Sequence, residues 1–134
     1  MTEMKAGYFT VEKNIVGLST QEIERMLGFR PGRLTQGARI FVLEREPKRG
    51  EFVPAGSTLY PDAKGLNSKE LERTAFLPGA WLGERLLKVE PKLPHNSAEW
   101  YPQAGPSRGE QWKLIQKIPM REVKKLRVGE KYWR

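Results

Sequence analysis

Ser19 and Glu22 stand three residues apart in front of an apolar stripe, Ile23, Met26 and Leu27, that stops at Gly28. A hydroxyl at a helix N-cap and a glutamate three positions on can each accept from the other residue's backbone N–H, which satisfies two amides that a helix start leaves open. Leu18 and Ile23 have the spacing of a hydrophobic staple, and glycine takes the left-handed conformation that often ends a helix. The pattern predicts a helix over Thr20 to Leu27. A helix of about two turns is not stable alone and must pack its apolar stripe on other elements.

Those other elements read mainly as strands. Gly7 to Ile15 is rich in aromatic and β-branched residues, and Ala38 to Leu43 is a short apolar run suited to an interior strand. Phe52 to Leu59 reads as a further strand broken by Pro54 and Gly56, and with Ala38 to Leu43 it predicts an irregular antiparallel hairpin. Trp81 to Val89 is read as a strand, although its ERLLK centre suits a helix equally. Trp112 to Ile118 alternates, with Trp112, Leu114, Gln116 and Ile118 on one face. Pro119 then opens an expected helix, Met120 to Arg127, with Val123 and Leu126 inward. Ser68 to Arg73 allows one more short helix, and Phe29-Arg30-Pro31-Gly32 reads as a turn.

This order predicts an α+β fold: one domain over residues 1–134, mainly an antiparallel sheet with two or three short helices on one face. Residues 91–111 hold four prolines and two glycines and read as a long irregular loop. At 134 residues the chain is long enough for one hydrophobic core.

Charge narrows the partners. The chain carries 24 Lys and Arg against 16 Asp and Glu, a formal net charge of +8. Nine basic and three acidic residues lie between Arg108 and Arg134, so six of the eight surplus charges sit there. A basic surplus favours an anionic partner, because neutralising phosphates releases counterions and steers association. The absence of cysteine excludes disulfides, thiolate metal sites and a cysteine nucleophile, and the single His95 excludes any site needing two imidazoles. Asp62 is the only aspartate, which argues against nucleases built on paired aspartates around magnesium. No phosphate-cradling glycine loop, zinc-protease motif or calcium loop is present, and no metal or cofactor is expected. No window approaches a membrane span and no secretion signal opens the chain, so a cytoplasmic location is expected.

Two segments could carry function. In the first, His95, Arg108 and Glu110 share a polar loop, and a histidine, a glutamate and an arginine are the types that a metal-independent ribonuclease uses as base, acid and phosphorane-stabilising cation. Arg39, Ser57, Thr58, Tyr60 and Glu110 can also be threaded onto the residue order of ADP-ribosyltransferase toxin domains, without amounting to a family resemblance. In the second, Lys113, Lys117, Arg121, Lys124, Lys125, Arg127 and Lys131 are interleaved with Trp112, Tyr132 and Trp133. Cations beside aromatic faces suit a surface that neutralises phosphates and stacks bases. A basic turn, Arg30 to Arg33, with Arg39 would add to it only if the fold brought the two together. The leading expectation is a non-catalytic module that binds an anionic partner, most of all nucleic acid, through Lys113, Lys117, Arg121, Lys124, Lys125, Arg127, Lys131 and Trp133. A small toxin-type enzyme acting on RNA or NAD, and a partner for an acidic protein, are the alternatives.

Overall fold

The computed structural model describes residues 1–54, 79–92 and 111–134. Its elements are β1 (Thr2–Val11), α1 (Thr20–Leu27), β2 (Ala38–Leu43), β3 (Phe52–Pro54), β4 (Leu86–Pro91) and β5 (Gln111–Leu126), with short 3-10 turns at Glu12–Asn14 and Gly79–Trp81. The strands run in the order β1-β4-β2-β5, and β1 also pairs with β5, so four antiparallel strands close into a barrel. β3 is added on β5 as a fifth strand.

This corrects the expected fold class. The sheet is closed rather than covered on one face by two or three helices, and α1 is the only α-helix among the described residues. The helix expected over Met120 to Arg127 is instead the second half of β5, a 16-residue strand. Pairing decides the outcome: Met120 to Leu126 runs antiparallel to β2, and the stretch before it to β1. An extra residue, Val123, is bulged between Glu122, which faces Phe41, and Lys124, which faces Ile40. A bulge shifts the alternation by one position. The apolar spacing of three between Val123 and Leu126 therefore imitates a helical stripe. The expected hairpin of Ala38 to Leu43 with Phe52 to Leu59 is also corrected, because β2 and β3 each pair with β5 and not with one another. The expected Ser68 to Arg73 helix lies outside the described residues.

Both faces of the barrel wall are buried in part. Phe9 and Val11 of β1, Phe41 and Leu43 of β2, Leu86 of β4, and Trp112, Leu114, Ile118 and Met120 of β5 fill the interior. Phe9, Phe52, Trp81 and Trp112 stack or meet edge to face at 4.7–5.8 Å between ring centroids and plug one end. On the outside, Ile23 and Leu27 of α1 pack with Ala38, Ile40, Val42, Leu87, Val89 and Leu126. The helix has the predicted bounds and capping box, with Ser19 accepting from the Glu22 amide at 3.2 Å and Glu22 from the Ser19 amide at 3.0 Å. The Gln111 side-chain amide donates to the Leu27 carbonyl at 2.8 Å, which ties the start of β5 to the end of α1. Gly37 makes the close approach of β2 to β5 possible: a Cβ there would lie 2.4 Å from the Leu126 carbonyl oxygen, on a backbone with φ of 102°. No described helix is long and apolar enough to cross a membrane.

Candidate nucleic-acid interface

Alternation along β5 sorts its side chains. Trp112, Leu114, Ile118 and Met120 point into the barrel, so Lys113 and Arg121 project from the outer face, and Lys117 is exposed in the 115–117 stretch, where β5 carries two extra residues against Lys5 to Gly7 of β1. The bulge at Val123 carries the outward set over to Lys124, which is opposite Ile40 as Arg121 is opposite Val42. Ile40 and Val42 share the outer face. Lys113, Arg121 and Lys124 therefore share the outer face of a single strand, and exposed Lys117 lies between the first two to complete a stripe. Lys113 to Arg121 runs opposite Tyr8 to Thr2 of β1, and Arg121 to Lys124 opposite Val42 to Ile40 of β2, so at ~3.3 Å per paired step the stripe is roughly 26 Å long.

The neighbourhood of each cation differs. Lys117 is exposed. Arg121 is exposed and its guanidinium lies 3.2 Å from Glu44. The Lys113 ammonium is 5.8 Å from the Tyr8 ring centroid, a cation–π contact, and partial burial lowers its pKa to about 8. Lys124 lies 4.9 Å from the Tyr132 ring centroid and donates to the Trp133 carbonyl. Lys125 is exposed at the barrel mouth, opposite Arg39. Arg127 and Lys131 are exposed beyond the end of β5, where Lys131 bridges to Ser19.

The structure thus divides the sequence-predicted basic set. Lys113, Lys117, Arg121 and Lys124 share the stripe, Lys125 turns away, and Arg127, Lys131 and Trp133 continue past its Lys124 end. Of the basic turn and Arg39, Arg39 comes beside the basic segment, opposite Lys125, but it is occupied there. Its guanidinium pairs with Glu122 at 3.0 and 3.3 Å, which raises the arginine pKa and lowers that of Glu122. His95, Arg108 and Glu110 lie outside the described residues, as do Ser57, Thr58 and Tyr60.

Two further clusters were not legible in the sequence. The first centres on Glu12, only 2% exposed, which accepts from the Tyr132 hydroxyl and, at 3.0 Å, from Arg134. Burial, then the bond to Glu12, raises the Tyr132 pKa well above the usual phenol value. Residues on either side of Trp133 are therefore fastened to the same buried carboxylate, and the Tyr132 amide also donates to the Leu18 carbonyl at 2.9 Å. Trp133 itself is 58% exposed.

The second cluster is at the barrel mouth. β1 and β4 pair only at Thr10–Leu87 and Val11–Leu86 and then part. Lys5 reaches Glu90 at 2.7 Å there, and Lys88 shares the Phe41 face of the wall. Gly7 accommodates the Lys88 amine, since a Cβ at Gly7 would lie 3.0 Å from Nζ. Lys88 is almost wholly buried, and that burial lowers its pKa to about 8 against the opposing pull of Glu90, with Lys5 and Lys113 adding to the fall. The cleft beside it, walled by Leu27, Phe29, Leu87 and Val89, is narrow, with room for about one water. No family model, curated protein or solved structure matches the chain.

Proposed function

We propose that this chain is a binding module for nucleic acid, which it holds by the phosphates along the outer face of β5. The observation that carries the reading is the placement of Lys113, Arg121 and Lys124 on one face of one strand, with exposed Lys117 between the first two. A sequence-level surplus of charge becomes a linear array there, and a linear array of cations suits a linear polyanion. The aromatic neighbours at its ends, half-buried Tyr8 beside Lys113 and exposed Trp133 beside Lys124, fit the mixture of cations and rings used by surfaces that hold nucleic-acid strands.

Fluorescence anisotropy of labelled oligonucleotides, titrated at several salt concentrations, tests this. With three or four phosphates neutralised, the slope of log K against log salt should be about −2 to −4. Lys117→Gln together with Arg121→Gln should cut the slope by about one to two and leave the melting temperature unchanged, both side chains being exposed. Binding that is unaffected by the double substitution, or absent at low salt, refutes the reading. Capture of an acidic protein with no affinity for oligonucleotides would replace it with the acidic-partner alternative.

A further inference from the structure

Trp133 stands out among the described tryptophans: Trp81 and Trp112 are 1% and 5% exposed, and Trp133 is 58% exposed. An exposed aromatic on a loose segment would mean little. Here both neighbours are fixed, Tyr132 by its hydroxyl on Glu12 and its amide on Leu18, and Arg134 by its guanidinium on Glu12 and, at 3.5 Å, on Glu84. The Gly17 amide donates to the Tyr132 carbonyl at 2.7 Å, and the indole edge rests beside Gly17, whose Cβ, if present, would be 3.5 Å away. The ring is thus presented at a set position with little freedom left to lose on binding. It belongs to the same end of the molecule as Lys124, whose ammonium donates to the Trp133 carbonyl, and it follows Lys131 by two residues.

We infer that the nucleic acid is single-stranded and that Trp133 stacks on one of its bases at the Lys124 end of the stripe; this rests on the nucleic-acid reading above. The physical reason lies in what each partner offers. A duplex hides its base faces, so a side chain on the protein surface meets only phosphate and sugar unless it wedges between base steps. A single strand can lay its phosphates along the cations and turn a base onto the ring, and each such stack is sequence-tolerant because every base has a π face. A stripe of roughly 26 Å falls in the reach of a few nucleotides, within the short site sizes usual for barrel-type single-strand binders.

The test compares wild type, Trp133→Ala and Trp133→Phe with three probes at one salt concentration: twelve-residue oligo(dT) or oligo(U), a twelve-base-pair duplex, and inorganic polyphosphate as competitor. The alanine variant should lose about tenfold to a hundredfold in affinity for the single strands. Its affinity for polyphosphate and its salt slope should stay as in wild type, because the cations are intact. Phenylalanine should restore most of the lost affinity, and the tryptophan fluorescence quenched on oligo(dT) binding in wild type should be missing in both variants. An equal loss for all three probes, or no loss for the single strands, overturns the stacking assignment and leaves the basic stripe standing. Failure of every anion to bind overturns both.

Discussion

Lys88 should make the protein more stable as pH rises above neutrality. In an unfolded chain its amine has the ordinary value near 10.5, and in the fold burial lowers it to about 8. Between those values the unfolded chain binds more protons, so stability increases with pH, and the full cost of the buried charge is felt only below about 8. The whole displacement corresponds to about 3 kcal/mol, of which about 2.5 kcal/mol falls between pH 7 and 10 for a single site. Three groups share its surroundings. Glu90 favours the charged amine, and Lys5 and Lys113 oppose it. Lys113 is also lowered to about 8 and acts in the same direction. Tyr132 acts oppositely: its raised pKa gives stability that is present below pH ~10 and begins to be lost as the unfolded phenol ionises there. Urea denaturation between pH 7 and 10 separates these contributions. Wild type should gain stability over the range, and Lys88→Met should be more stable than wild type at pH 7 and lose about 2.5 kcal/mol of the gain. A Lys113→Gln variant should keep the part of the gain that Lys88 supplies. If Lys88→Met keeps the wild-type pH dependence, Lys88 is not a buried cation at neutral pH and the account of the barrel mouth is wrong.

Binding should also respond to pH, because Lys113 loses its charge near 8: affinity for oligo(dT) should fall between pH 7 and 9, and Lys113→Gln should flatten that fall in the same anisotropy titration. Glu44 occupies Arg121, so Glu44→Gln should strengthen oligonucleotide binding by severalfold with little change in melting temperature, as exposed pairs contribute about 0–1 kcal/mol. Tyr132→Phe removes a donor from buried Glu12 and should cost about 1–3 kcal/mol in urea denaturation. Gly37→Ala should cost roughly 2 kcal/mol or more by the same measurement, through both the positive φ and the 2.4 Å approach to Leu126.

What could be read from the sequence was what short-range chemistry decides. The α1 boundaries follow from side-chain-to-backbone bonds within four residues, and they are found where Ser19 and Gly28 put them. β2 is likewise found at Ala38–Leu43, where an apolar run is bounded by turn residues. Closure of the sheet was not legible. It depends on β1 reaching both β4 and β5, pairings more than 70 residues apart that leave no mark in a local window. The same holds for Glu12, whose partners Tyr132 and Arg134 lie at the far end of the chain. A buried glutamate and an exposed one look alike until the fold supplies the donors.

The basic segment shows the same division inside one element. Its charge was visible as a total, and a helix with Lys124, Lys125 and Arg127 on its working side was the natural way to arrange it. The strand arranges the charge otherwise. Lys113 and Arg121 stay together because β5 inserts an even number of residues, two, against Lys5 to Gly7, and the odd interval from Arg121 to Lys124 would send Lys124 inward without the extra residue at Val123. The bulge does two things at once. It returns Leu126 to the outer apolar cluster with Ala38 and Ile40, and it keeps Lys124 on the cationic face, within reach of the Trp133 carbonyl. Packing and charge are thereby joined at one inserted residue, which is where a shift in strand register would disturb core and stripe together.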